Sequence, residues 1–407
     1  MDAQRQRLLA QIGRTRGTPC YVYFIDEVRQ RVQALKSVLG GRFEISYAVK
    51  ANPNVGLLRG LRPDVALLDV SSAGELQRAL SSGCPAAHIS FSGPAKRDVE
   101  LQAAAESGCE IVCESADEAE ALSQLGEARG SPLKILLRLN PSRMPRRFGI
   151  SMAGRPSQFG IDEEDLPEQL PRLVRLRGVE LAGFHIYSGT NCLDADAIAE
   201  NFAFFIELFA QAAQLAGCRP RKLVFGSGFG IPYFADEMPL ELGALAERIN
   251  PQIDALQADP TLAGAQCVLE MGRWLVGPAG YLLTQVIGAK RSRGVDIRLC
   301  DAGFNNHINA AGMMGTVIRR NWPFTHLSPE ADAPRRSYML VGPLCTTADV
   351  LASQIELPEI RKGDVLAIGA SGAYGLSASP ARFISHPVPA EFIVDDGAIT
   401  DVSETCP

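Results

Sequence analysis

Apolar residues in this chain gather in short runs rich in β-branched side chains, and stretches of helical period separate them. Eight runs stand out: FEISYAVKA (43–51), DVALLDV (64–70), AHISFSG (87–93), EIVCES (110–115), KILLRLN (134–140), LAGFHIYSG (181–189), KLVFGSGFG (222–230) and CVLEMGR (267–273). The intervening GELQRALSSG, RDVELQAAAESG and DAIAENFAFFIELFAQAAQLAG place apolar residues at three- and four-residue intervals, the pattern of amphipathic helices. The first five runs recur at about 23-residue spacing, the length of one compact strand–helix unit. Alternating βα units imply a parallel sheet, and eight of them predict an α/β fold with a closed (β/α)8 TIM-like barrel. The competing open, doubly wound sheet lacks its GxGxxG fingerprint in the first unit.

After about residue 280 the pattern changes. YLLTQVIGAKRSRGVDIRLCDAGF, RSYMLVGPLC, KGDVLAIGASGAYG and PAEFIVDDGAIT read as strands joined by Gly, Pro and Asp turns. They predict a C-terminal all-β domain. The isolated run PCYVYFI (19–25) precedes the first helix and is expected to join it, giving a barrel of residues 27–280 and a β domain of 1–26 and 281–407. The polar, Gly- and Pro-bearing stretch 142–160 follows the fifth run and reads as an active-site loop.

Composition narrows the function. Hydrophobic residues are 46% and charged residues 21%, a soluble globular balance, and the net charge of −6 argues against a nucleic-acid or anionic-membrane partner. No apolar run reaches the length of a membrane span, and MDAQRQRLLAQIGRTRG lacks the apolar core of a signal peptide, so a cytoplasmic location is expected. Ten cysteines without CxxC spacing and five histidines without an HExxH or HxH pair predict reduced thiols and no metal site.

In a βα barrel, chemistry gathers at the C-terminal ends of the strands. There the sequence places Lys50, Asp69, Arg138, His185 with Ser188, the turn Gly226-Ser227-Gly228-Phe229-Gly230, and Glu270 with Gly272 and Arg273. Each has an ordinary reading: a snorkelling lysine, a core histidine, a tight turn, a Glu–Arg rim pair. Together they are the parts a pyridoxal phosphate site needs. Glycine amides cradle a phosphate, a lysine amine condenses with an aldehyde, a carboxylate keeps a pyridine nitrogen protonated, and a flat histidine stacks on the ring.

YAVKAN, HIYSG, GSGFG, EMGR, GPLCTTAD and GAYG resemble, in order, the motifs of the fold-type III pyridoxal-phosphate decarboxylases, the family of diaminopimelate and ornithine decarboxylases. The resemblance implies a homodimer with shared active sites. It implies Lys50 as the lysine that carries pyridoxal 5'-phosphate, His185 stacked on the ring, and Ser188, residues 226–230, Arg273 and Tyr374 on the phosphate. Glu270 would face the pyridine nitrogen. Cys345 would be the acid that protonates Cα and Asp349 a substrate contact, both serving the partner subunit's site. A racemase on the same barrel would want a tyrosine acid in place of Cys345, and a non-catalytic cofactor carrier would not need Lys50 and Cys345 together.

Two departures bear on substrate. Diaminopimelate decarboxylases carry Arg-Pro after DAGxN and Glu after the cysteine; here Asn309-Ala310 and Thr346 stand there. SMAGRPSQFGI and SASPARFISHP resemble instead a branch acting on modified amino acids, which includes siderophore enzymes that decarboxylate citryl-diaminopropionate and enzymes that decarboxylate carrier-protein-bound glutamate. A conjugated or carrier-tethered amino acid is therefore the expected substrate, with Asn309, Thr346 and Arg155 among its contacts.

Overall fold

The computed structural model describes residues 1–143, 146–313, 320–330 and 332–403; residues 144 and 145 of the 142–160 stretch lie outside them. The chain divides into two compact units, one of residues 29–231 and 238–274, the other of residues 1–28, 232–237 and 275–407.

The first unit is a closed barrel of eight parallel strands: Glu44–Ala48, Leu67–Val70, Ile89–Phe91, Glu110–Cys113, Leu133–Asn140, Val179–Ile186, Lys222–Gly226 and Gln266–Met271. Each pairs with the next, and the eighth closes the ring against the first, with Glu270 opposite Ser46. These are the eight runs seen in the sequence, so the strand count does predict the barrel. Val112, Leu136, Ala182, Val224 and Val268, one from each of the fourth to eighth strands, are buried together as a core layer. Branched side chains of this size fill a barrel of eight strands without leaving a pore.

The long helix Ala195–Ala216 starts at Asp194, whose carboxylate accepts the Ala197 amide at 2.9 Å and satisfies an open helix N-terminus. Its Phe202, Phe205 and Phe209 pack against Phe225 of the seventh strand with ring centroids 5.1–6.2 Å apart. The aromatic cluster continues through Phe229, 6.4 Å from Phe202, and so fixes the turn that follows that strand.

The second unit is built on a nine-stranded mixed sheet. Cys20–Phe24 lies inside it, antiparallel to Gly280–Ser292 and parallel to Ala390–Asp395. Residues 1–16, without a predicted element in the sequence pattern, contain the helix Ala3–Arg16, which presses Leu9 and Ile12 into a core with Cys20, Val22, Leu283 and Val365. The unit is therefore a β domain with a helix on it, and it also takes in residues 232–237, which the sequence division assigns to the barrel. No helix among the described residues is long and apolar enough to cross a membrane.

Candidate active site

The first barrel strand ends at Ala48, and Lys50 sits in the single 3-10 turn Val49–Ala51 that follows. Tyr47 donates its hydroxyl to the Asn52 carbonyl at 3.0 Å, and Asn54 caps the next helix by accepting the Gly56 and Leu57 amides. The strand thus ends in a fixed turn that presents the lysine at the barrel rim. The Lys50 side chain is 38% exposed, while the Glu270 carboxylate 4.0 Å from its Nζ is 3% exposed. Lys50 Nζ also lies 5.2 Å from the centre of the Tyr187 ring.

Glu270 is shared. Its Oε2 is 2.8 Å from His185 Nε2, and the histidine, on the sixth strand, is buried. Burial alone would raise the Glu270 carboxyl; the His185 hydrogen bond and the charges of His185, Lys50 and Arg138 outweigh it and hold it down at about 2. A carboxylate accepts only, so His185 presents Nε2–H to it. His185 Nδ1 is then a buried ring nitrogen with no hydrogen-bond partner among the described residues.

Asp69 is the penultimate residue of the second strand, buried, with Ser90 and Ser92 hydroxyls each donating to it at 2.8 Å. Burial and the nearby Glu270 charge push its carboxyl well above the ordinary range, against the opposing pull of Lys50. Glu75, at the head of the next helix, accepts the Ser71 amide at 2.8 Å and is raised by burial in spite of Lys50.

The turn after the seventh strand leaves no room for a side chain at Gly226 or Gly228. A Cβ on Gly226 would lie 2.3 Å from the Tyr187 ring; on Gly228, at φ +64, 2.4 Å from Phe148. The Ser227 amide donates to the Glu270 carbonyl and the Gly230 amide to the Cys192 carbonyl, so the turn is held from both sides. The Gly228 and Phe229 amides make no hydrogen bond among the described residues, which leaves them as donors. Ser188 is buried against Asn201 at 3.0 Å. Gly272 lets the eighth strand pass Ala51, since a Cβ there would be 2.7 Å from the Ala51 methyl, and Arg273 opens the short helix Arg273–Val276. An unpartnered buried histidine nitrogen beside a glycine turn with free amides fits a flat, phosphate-bearing cofactor.

The barrel unit thus brings Lys50, Asp69, Arg138, His185, Ser188, residues 226–230, Glu270, Gly272 and Arg273 to its strand ends. Sequence reasoning passed over Glu114, Ser90, Ser92, Tyr187, Phe148 and Phe159 there. Arg138 is buried; its Nη1 donates to Glu114 at 2.9 and 3.2 Å, and its guanidinium carbon lies 4.4 Å from the centre of the Phe159 ring. Part of the 142–160 stretch is a short strand: Ile150–Ser151 pairs antiparallel with Gly189–Thr190, and Arg147 forms an ion pair with Asp194. Arg155 is exposed and donates to the Ser151 carbonyl at 2.9 Å.

The remaining site residues belong to the other unit. Cys345 and Thr346 are exposed on a turn. Asp349 is buried, and its two oxygens accept the Phe304 and Leu344 amides at 2.8 and 2.9 Å. Those bonds brace the Cys345 turn. Asn309 donates its amide to the Tyr374 carbonyl at 2.7 Å, and Tyr374 holds φ +53.

Comparison with known proteins agrees with this geometry. Residues 25–277 match the family described as "Pyridoxal-dependent decarboxylase, pyridoxal binding domain". The chain is 32% identical over 386 residues to the L-glutamyl-[BtrI acyl-carrier protein] decarboxylase of Niallia circulans, covering 94% of this chain and 90% of that one. It is 32% identical over 398 residues to the diaminopimelate decarboxylase of Methanothermobacter thermautotrophicus (95% and 89%). It is 28% identical over 382 residues to the 2-[(L-alanin-3-ylcarbamoyl)methyl]-2-hydroxybutanedioate decarboxylase of Staphylococcus aureus (92% and 93%). The chain belongs to the pyridoxal-dependent decarboxylases, as an enzyme whose cofactor is pyridoxal 5'-phosphate.

Proposed function

We propose that this enzyme removes the α-carboxylate of an amino acid whose other end is conjugated, either to a carboxylate-bearing acid or to a carrier protein. The reading of the reaction rests on one observation: Lys50 Nζ, Glu270 and His185 meet within 2.8–4.0 Å on the barrel rim that also carries the glycine turn. When bound, pyridoxal phosphate supplies the electron sink for the pair left on Cα as carbon dioxide departs. Lys50 would carry the cofactor and give way to the substrate amine. Glu270, held charged by its neighbours, would keep a proton on the ring nitrogen. The flat His185 ring would orient the cofactor, and the Gly228 and Phe229 amides, with Ser188, Arg273 and Tyr374, would hold its phosphate.

Cys345 would deliver a proton to Cα in the partner subunit of a homodimer, on a turn that Asp349 keeps in place. Cys345→Ala is expected to keep the cofactor absorbance and lose normal product. Mixing it with Lys50→Ala restores one whole site per hybrid dimer, up to about a quarter of wild-type activity for random reassortment. Hybrid dimers that form and stay inactive would sink the shared site.

The substrate class rests on what stands where charged readers would be expected. Asn309 is neutral and already bonded to the Tyr374 carbonyl, and Thr346 is neutral. Arg143, Arg146 and Arg155 have no carboxylate partner among the described residues and remain open to an anionic distal group. Two relatives, at 32% and 28% identity, are named for conjugated substrates, and six, at 29–32%, for diaminopimelate. Kinetics on free meso-diaminopimelate, citryl-diaminopropionate and carrier-bound glutamate separate these. Two lost charge-assisted bonds at about 1.5–3 kcal/mol each should lower kcat/KM on free diaminopimelate by at least about a hundredfold relative to the best conjugate. Equal efficiency would overturn the substrate assignment.

A further inference from the structure

Glu114 follows the fourth barrel strand, with no assigned role. It is 5% exposed, and its carboxylate gathers donors from three separate parts of the barrel. Oε1 accepts the Gly93 amide at 2.8 Å, Oε2 accepts the Gly160 amide at 3.0 Å, and Arg138 Nη1 bridges both. Gly160, at φ +68, packs so closely that a Cβ would lie 3.0 Å from the Arg138 carbonyl. Phe159 lies over the Arg138 guanidinium, whose Nη2 reaches the Tyr187 carbonyl at 3.4 Å. A buried carboxylate that accepts four hydrogen bonds from three donors stays ionised and leaves little freedom to any of them.

We infer that Glu114 is a positioning residue, which fixes Arg138 beside His185 and fastens the end of the 142–160 stretch to the barrel rim. Arg138 pairs with His185 in register on the neighbouring strand, so its placement sets the floor beside the histidine. The stretch fastened at Gly160 carries Arg143, Arg146 and Arg155. The kinetic consequence rests on the proposed reading of those arginines: loosening the stretch weakens binding of the substrate's distal anion before it slows the chemistry.

The test uses cofactor-loaded enzyme and the variants Glu114→Gln, Arg138→Gln, their double, and Glu114→Asp. Hydrogen exchange of the peptide spanning 156–162 should accelerate about tenfold or more in each single glutamine variant, no further in the double, and return towards wild type in Glu114→Asp. With glutamate thioesterified to a carrier protein, Glu114→Gln should raise KM about tenfold and leave kcat within about twofold. Unchanged exchange, or single effects that simply add in the double, overturns the inference. Failure of the carrier substrate with wild-type enzyme would count against the substrate reading alone, because the exchange result stands without it. Where Glu114→Gln does not fold, Phe159→Leu keeps the buried ion pair and removes only the covering ring. Exchange there should rise about threefold, and no change overturns the inference equally.

Discussion

Borohydride reduction of the cofactor-loaded enzyme, followed by peptide mapping, is expected to leave a pyridoxyl group on Lys50 and on no other lysine. The turn Val49–Ala51 is held by Tyr47 and the Asn52–Asn54 cap, so the amine has little choice of place, and Glu270 meets it at 4.0 Å. Lys50→Ala should fold normally, because the side chain is partly exposed and contributes little packing. Its kcat should drop at least about a thousandfold, the scale of losing a group that both bonds the cofactor and moves protons. A label on another lysine, or near-normal turnover by Lys50→Ala, would remove the lysine from the mechanism.

The second large effect is expected at Glu270. Glu270→Gln keeps the shape and one acceptor for His185 but loses the charge. Cofactor should still bind, while kcat falls about 10²–10³-fold, the range for deleting a preorganised electrostatic group. The same substitution has a pH signature in stability. The Glu270 carboxyl sits at about 2 against an ordinary 4.5, a folded-state value lowered by His185, Lys50 and Arg138 over the opposing effect of burial. A lowered carboxyl contributes stability above the unfolded value and loses it as pH falls through the folded one. Wild type should therefore exceed Glu270→Gln by on the order of 3 kcal/mol above pH 4.5, and the gap should close between about pH 4.5 and 2. Urea midpoints of the two proteins across that range check it; a gap that does not change with pH would mean the charge is not held as described.

How far the sequence reaches is clearest at two neighbouring strands. KLVFGSGFG announces both a buried strand and the turn after it, because glycines that a Cβ would push into Tyr187 or Phe148 are visible as glycines. EIVCES announces the strand only. Glu114 looks like any charged residue after an apolar run, since its donors come from Gly93, Arg138 and Gly160, which only the closed barrel brings together. The same holds for Ser90 and Ser92: hydroxyls in AHISFSG carry no sign that both will face Asp69. Ala3–Arg16 forms a helix where the sequence pattern raises no element, because its core side chains, Leu9, Ala10 and Ile12, are spaced among arginines and glutamines. Asp349 was legible as part of a motif, but its brace on the Cys345 turn depends on amides 45 and 5 residues away.

The closure of the barrel has a consequence for how the enzyme is made. The first and eighth strands pair, although they lie about 220 residues apart in the chain. Until the eighth strand has been synthesised, the partial barrel keeps two unpaired parallel edges, the kind of surface that attracts other chains. Lys50 follows one of the two strands that meet last and Glu270 lies on the other, so the pair that the proposed function puts at the chemistry does not exist in any shorter nascent chain. On that proposal, cofactor capture would be a late event in biogenesis, and pyridoxal phosphate supplied during translation would reward only chains that have already closed the ring.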